Sequence, residues 1–260
     1  MIFKFTKLLV IIVFSVYLAA CSSSSTTSSV GTDVTIYTAP SPAIAAAMDA
    51  GVKTFTNDSD VSITLTKAYL VISSATIETS CTAFSAAADG LLNILMPQAN
   101  AHTTATPTST GEPYVVNLLT VDGGLSSIGS LSPPVGDYCG VDIDMLAADA
   151  DATNLPAGTG EPDMIGKTLF IEGTYTSDGG ITTGNIAVST GEPLQNRELL
   201  LNALMMISAG SLNGTINIGI NYDRWFDAVD LSLLESESAA KAGDNYNQLL
   251  LNITNSIHQI

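Results

Sequence analysis

Alternating apolar and polar residues recur along most of the chain and predict β-strands. The strictest alternation, with a period of two, is in Val61–Thr66 and Tyr138–Met145, where Asp142 and Asp144 share one face. Turn-forming residues separate these runs, as at 122–124, 133–136, 178–180 and 213–214. Short strands between such turns predict an all-β, immunoglobulin-like antiparallel β-sandwich. The other predicted strands cover Tyr69–Ile72, Thr76–Glu78, Tyr114–Leu119, Lys167–Tyr175 and Thr215–Tyr222.

Two segments depart from the strand pattern. Residues 86–100 are rich in Ala and Leu and lead into a Thr/Pro-rich stretch, which predicts an excursion from the sandwich. Near the C-terminal end, apolar side chains recur at helical spacing, with Asp244 placed to cap the helix. We expect this helix to pack its apolar stripe on the sandwich. The stripe consists of Tyr246, Leu249, Leu250, Ile253 and Ile257.

The first twenty residues have the layout of a signal peptide. Lys4 and Lys7 precede an apolar stretch, Leu8–Tyr17, that is too short to span a bilayer comfortably. The following Leu-Ala-Ala-Cys resembles the bacterial lipobox, in which the thiol, here that of Cys21, is diacylated and the chain is cut before it. A free cysteine in a short membrane anchor is the alternative. Ser22, in place of an aspartate, indicates sorting to the outer membrane.

The predicted signal peptide determines where the first boundaries of the domain organisation lie. Residues 1–20 are the lipoprotein signal peptide, and residues 21–32 are the lipidated cysteine with a flexible Ser/Thr tether. Residues 33–260 form one β-sandwich domain with a C-terminal helix. Two or three acyl chains on Cys21 suffice for stable membrane anchoring.

The charge of the chain narrows the classes of partner. Acidic residues outnumber Lys and Arg by 25 to 8. Loss of the leader removes Lys4 and Lys7, which leaves 6 basic against 25 acidic residues and a net charge near −19. A chain of this charge has no basic groove that could follow a phosphate backbone, so nucleic acid is excluded as an expected partner. The acidity serves solvation or attracts cations.

The two cysteines that remain after lipidation predict a disulfide. Cys81 and Cys139 form an even pair in an exported chain. A metal site would need further ligands nearby, and the sequence supplies none close to either cysteine.

Candidate chemistry is sparse. His102 and His258 are the chain's two histidines, and neither belongs to a His-x-His or Glu-x-x-His spacing. As a copper ligand, His102 would need a second donor such as Met96 or His258, and a solvated loop residue is the alternative. Asp149 and Asp151 resemble the opening of a calcium loop, but the glycine and the bidentate Glu of such a loop are missing. No Gly-x-Ser-x-Gly motif is present, and no enzyme activity is expected.

Three stretches, Thr64–Ile72, Leu131–Ile143 and Asn221–Leu231, together resemble the methanobactin-associated (MbnP-like) copper-binding envelope proteins. The resemblance implies a β-sandwich in the cell envelope and a di-haem peroxidase-like partner that oxidises a tryptophan. It implies copper as the cofactor, with His102, His258 and Trp225 as the residues that remain for such a site. The alternative for Trp225 is a core aromatic.

The sequence as a whole favours a non-catalytic, lipid-anchored envelope protein that binds a partner or a metal ion. Copper is the favoured metal, and calcium is the less favoured one. A structural or adhesive surface lipoprotein without metal is the alternative.

Overall fold

The computed structural model describes residues 33–43, 50–81, 105–210, 213–236 and 243–260. Twelve strands and one α-helix lie in these ranges, and none of their helices is long and apolar enough to cross a membrane. The strands are β1 (Val34–Pro40), β2 (Lys53–Thr56), β3 (Ser62–Ile72), β4 (Ser74–Glu78), β5 (Tyr114–Asn117), β6 (Ser126–Leu131), β7 (Gly136–Asp144), β8 (Leu169–Ser177), β9 (Thr182–Thr190), β10 (Arg197–Ile207), β11 (Gly214–Ile220) and β12 (Ile257–Gln259), and the helix is α1 (Gly243–Asn255).

The strands form three sheets, and their arrangement confirms the predicted all-β sandwich with a C-terminal helix. Sheet A has the order β12-β11-β1-β6, and sheet B has the order β10-β7-β4. Sheet C has the order β2-β3-β8-β9, with β5 also paired to β3. Neighbouring strands are antiparallel except β1 and β11, which pair in parallel from Val34 with Gly214 to Pro40 with Ile220.

The chain passes from sheet C to sheet B at Ser73, between β3 and β4. The amide of Val71 still donates to the Thr168 carbonyl, whereas the amide of Ser73 donates to Asp144 at the end of β7. A nearly continuous extended segment therefore ties the two sheets together. All three sheets contribute to one hydrophobic core, for example Ile36 and Ile218 from sheet A, Val141 and Ile143 from sheet B, and Ile63 and Leu65 from sheet C.

Helix α1 packs its apolar stripe on the sandwich as expected, with Tyr246, Leu249 and Ile253 buried. The prediction was wrong for Ile257, because the helix ends at Asn255 and Ile257 pairs with Ile220 as the first residue of β12. Residues three or four apart on a helix and alternate residues on a strand can point to the same core, so the spacing alone did not separate them. Asp244 lies in the first turn of the helix. The predicted excursion at 86–100 lies outside the described residues.

A long connection between β7 and β8 covers the outer face of sheet C. Tyr69, Val71 and Phe170 point outward from the sheet and pack beneath Ala148 and Met164 of this connection. This second, smaller apolar cluster lies beneath the connection that carries Asp149 and Asp151.

Candidate functional site

The predicted disulfide between Cys81 and Cys139 is confirmed, with a Cα–Cα distance of 5.8 Å. Pairing of Glu78 in β4 with Gly140 in β7 brings the two cysteines together. The bridge therefore joins Cys139 of β7 to Cys81, three residues after the end of β4.

Trp225 lies in the core, immediately after a 3-10 turn at Tyr222–Arg224. Its side chain is 0% exposed, and its indole N–H donates to Ser256 Oγ at 2.9 Å. In this conformation the indole fills the interior and has no surface through which another protein could reach it.

His258 lies two residues beyond Ser256, in β12, and is half-buried. Its Nδ1 lies 3.1 Å from the Ser256 carbonyl oxygen. Because a carbonyl only accepts, this contact places a proton on Nδ1, and in the neutral imidazole the lone pair then lies on Nε2, where a ligand could bind. Ser256 therefore connects two of the three residues implied for a copper site, Trp225 and His258. His102 and Cys21 lie outside the described residues.

Asp149 and Asp151 lie in the connection over sheet C. Asp149 Oδ1 accepts the amide of Asp151 at 3.0 Å, which is the geometry of an Asx turn. The Asn154 side chain donates to the Val115 carbonyl and fixes the connection to β5. In the part of the chain that the structure describes, no group of three or more His, Cys, Asp or Glu residues has a metal-binding arrangement. Calcium at this loop stays a prediction.

An acidic cluster occupies the outer face of sheet B. It consists of Glu78, Asp142, Asp144 and Glu198, and Glu198 and Asp142 are register partners. Asp142 Oδ2 accepts a 2.7 Å hydrogen bond from Asn196, and Asp144 Oδ2 accepts one of 2.7 Å from Ser74. Burial, followed by the charges of Asp144 and Glu78, raises the pKa of Asp142 to about 6. The sequence indicated the Asp142–Asp144 pair but not the two acids from neighbouring strands.

Beside the acidic cluster, β10 exposes three large apolar side chains. Leu200, Leu204 and Met206 are 54%, 62% and 74% exposed, and together they form what we term the β10 apolar strip. The register with β7 shifts between Leu200 and Met205, which allows Leu204 to project from the sheet. Sequence reasoning did not predict β10, although the apolar run from Leu199 to Ile207 was the available signal.

A buried polar cluster lies where β2 meets the turn that follows β5. Lys53 of β2 is 0% exposed, and its Nζ lies 3.1 Å from Oδ1 of Asp122, whose side chain is 2% exposed. The Tyr222 hydroxyl donates to Asp122 Oδ2 at 3.0 Å. Burial, followed by the Asp122 charge, raises the pKa of Tyr222 well above its ordinary value. The available signal was the alternation of Lys53 with Phe55, which places Lys53 on the inward face of β2.

The stretches that carry the resemblance to the copper-binding envelope proteins lie in β3, at the end of β6 and in β7, and in the segment after β11. That resemblance stays a prediction from short motifs. No protein-family model, curated protein or solved structure matches this chain.

Proposed function

We propose that this chain is a lipid-anchored protein of the bacterial outer membrane whose β-sandwich is a non-catalytic module for binding another protein. The observation that carries the proposal is the β10 apolar strip. Large apolar side chains grouped on an exposed strand are typical of protein-interaction surfaces, whereas scattered ones need no explanation. Leu200, Leu204 and Met206 all lie on this one strand at the edge of sheet B.

The charges around the strip favour a partner of a particular kind. Met206 lies opposite Asp137 in the register with β7, and Glu198 is two residues from Leu200. A partner with an apolar centre and a basic rim complements this surface. A second copy of this acidic chain would instead bring like charges together. The partner therefore differs from the chain itself.

The way in which β10 is held favours contact through side chains. The backbone amide of Asn202 donates to Gln259 Oε1 of β12 at 2.7 Å. The backbone in the middle of β10 therefore already has a hydrogen-bond partner. Addition of a partner strand along the whole edge would displace this contact. A partner that contacts the side chains of the β10 apolar strip would leave this hydrogen bond in place.

Site-specific photocrosslinking in intact cells tests this proposal. A photoreactive residue at Leu204 or Met206 should give a discrete heterologous adduct, and the same residue at Ile181 should not. Ile181 is the matched control because it is 85% exposed and lies at the turn between β8 and β9, in a different sheet from β10. Glu198→Lys should weaken the adduct, because it reverses one charge beside the strip.

The outcomes are distinct. Equal labelling from Leu204 and Ile181, or an adduct that Glu198→Lys leaves unchanged, would overturn the proposed interface. An adduct between two copies of the chain would contradict the charge argument.

Copper handling is the second candidate, and the arrangement of His258 favours it. The Ser256 carbonyl holds Nδ1 and fixes the ring, as outer hydrogen bonds do for metal-bound histidines. His258 therefore fits the role of one copper ligand through Nε2. Trp225 does not fit the role of a surface-oxidised residue in this conformation, because it is fully buried and its N–H is satisfied.

Metal content after exposure to copper and calcium, followed by desalting, tests the second candidate. About one copper per chain, lost in both His258→Ala and His102→Ala, would support copper binding. Calcium that is lost in Asp149→Asn would direct attention to that loop instead. Absence of both metals would remove the copper candidate and leave the binding module or a structural, adhesive lipoprotein.

A further inference from the structure

Lys53 and Asp122 form an ion pair that is buried inside the protein. Lys53 is 0% exposed and Asp122 is 2% exposed, and Nζ contacts Oδ1 at 3.1 Å. Aromatic rings lie around the pair, since Phe55 packs edge-on against Tyr222 with ring centroids 5.5 Å apart. Both charges have thus been withdrawn from water, at a cost that their mutual attraction offsets only in part.

The backbone holds the two side chains in register. Asp122 lies in a turn closed by the Gly124 amide on the Val121 carbonyl, and the Gly123 amide donates to Pro40 at the end of β1. Just before β2, the Gly51 amide donates to the Leu119 carbonyl. Lys53 and Asp122 therefore come from two segments that are hydrogen-bonded to each other and to sheet A.

We infer that Lys53 and Asp122 form an intramolecular amide (isopeptide) bond, which cross-links β2 to the turn after β5. The ammonium first transfers a proton to the carboxylate, so that an amine faces a carboxylic acid. Nζ then attacks Cγ, one carboxyl oxygen leaves as water with a second proton from nitrogen, and the amide keeps the third. One C–N bond forms, one C–O bond breaks, and no oxidant or reductant is needed.

Tyr222 is positioned to assist this condensation. Its hydroxyl donates to Oδ2, the carboxyl oxygen that does not contact Nζ, at 3.0 Å. A donor at that oxygen polarises the carboxyl group and stabilises the negative charge that develops when nitrogen adds to Cγ. The raised pKa of Tyr222 keeps the hydroxyl protonated and able to donate.

The environment favours the amide over the ion pair. Burial excludes the water that would hydrolyse the amide, and the pre-set contact supplies the orientation that a bimolecular reaction lacks. Condensation also removes two buried charges. Asp223 is 3% exposed and accepts a hydrogen bond from the Ala43 amide at 2.9 Å.

The chain contains a natural control for proximity alone. Lys67 Nζ lies only 2.7 Å from Glu172 Oε2, which is closer than the Lys53–Asp122 contact. This pair is solvent-exposed, however, with side-chain exposures of 26% and 42%. If burial and Tyr222 drive the condensation, Lys67 and Glu172 remain unlinked.

Peptide mapping of the full chain by mass spectrometry, after reduction and denaturation, tests the inference. Trypsin does not cleave after an acylated lysine, so we expect the peptide containing Lys53 and ending at Lys67 to be joined to peptide 68–167, which contains Asp122. The joined species should weigh one water molecule less than its two parts. Lys53→Met and Asp122→Ala should each abolish it, and Tyr222→Phe should lower its yield.

Cleavage of the wild-type chain after Lys53, with recovery of the peptide ending at Lys53, peptide 54–67 and peptide 68–167 all unjoined, would overturn the inference, whether or not the variants fold. A joined species at Lys67 and Glu172 would also overturn it, because proximity alone would then suffice. The readout is independent of any partner or metal, so its result does not depend on the proposed binding function.

Discussion

The indole N–H of Trp225 donates to Ser256 Oγ at 2.9 Å, and the same hydroxyl donates to the Ile253 carbonyl at 2.6 Å. One buried serine thus joins the segment after β11 to the end of α1. Ser256→Ala should lower the free energy of unfolding by about 1–3 kcal/mol, because it leaves a buried N–H without an acceptor. Urea unfolding monitored by tryptophan fluorescence measures this loss.

A double-mutant cycle separates the contribution of the Trp225–Ser256 hydrogen bond from that of general packing. Trp225→Phe removes the N–H, so Ser256→Ala should cost less in that background, with a coupling of at least about 0.5 kcal/mol. Circular dichroism replaces fluorescence for the variants without tryptophan. Ser132→Ala is the exposed control, and it should stay within about 0.5 kcal/mol of wild type. Additive losses would show that the hydrogen bond is not the cause.

The Cys81–Cys139 bridge spans a sequence separation of 58 residues. Loss of both thiols in Cys81→Ser/Cys139→Ser should lower the free energy of unfolding by up to about 4 kcal/mol, because the unfolded chain regains the freedom of a long loop. The measurement is urea unfolding with and without reductant. Reductant should shift the wild-type curve toward that of the double variant and leave the double variant unchanged. Equal midpoints for the oxidised wild type and the variant would contradict this expectation.

Alternation predicted β7 and most of β3, but β1 and β2 also alternate in burial and were not predicted, and neither was β10. In β7, buried Val141 and Ile143 stand between outward-facing Asp142 and Asp144, which the period of two predicts directly. In β10, the run Leu199–Leu201 is apolar throughout, and such runs are ambiguous between strand and helix. The exposed leucines of that strand could not be identified without the register to β7.

The candidate sites were less predictable than the fold, because they depend on pairings distant in sequence. Pairing of β11 with β12 places Ser256 near Trp225, which is 31 residues earlier in the chain. Lys53 and Asp122 are separated by 69 residues, and a lysine is ordinarily a surface residue. The only signal that Lys53 is buried was its position two residues before Phe55, on the same inward face of β2. The disulfide was predictable, because only Cys139 was left to pair with Cys81 once Cys21 was set aside as the predicted lipidation site.

The resemblance of residues 18–21 to a lipobox predicts a testable role for Cys21. Cys21→Ser should abolish incorporation of radiolabelled palmitate and release the chain from the membrane fraction, because the acyl chains provide the anchor. Fractionation with immunoblotting and lipid labelling measures both effects. Ser22→Asp is a matched variant, which should keep the label but shift the protein away from the outer membrane. Retention of Cys21→Ser in the membrane without label would favour an uncleaved, unlipidated anchor.

Asp142 gives the folded state a pH dependence of defined sign. Burial, then the charges of Asp144 and Glu78, raises the pKa of its carboxyl to about 6, whereas the Asn196 hydrogen bond acts in the opposite direction. In the unfolded chain the pKa is near its ordinary value of about 4. Below pH ~4 the carboxyl is protonated in both states, and between about pH 4 and 6 only the folded state retains the proton. The free energy of unfolding therefore falls as pH rises through this window.

Asp142→Asn should remove this dependence while it keeps an acceptor for Asn196. Relative to wild type, we expect the variant to gain nothing near pH 4 and roughly 1–2 kcal/mol by pH 7, a range discounted because the carboxyl is partly exposed. Urea unfolding at a series of pH values measures the difference. Asp137→Asn, on the same strand but with an exposed side chain, controls for the loss of one negative charge from an acidic chain. Parallel profiles for Asp142→Asn and wild type would mean that neither burial nor the carboxyls of Glu78, Asp144 and Glu198 destabilise the ionised form of Asp142.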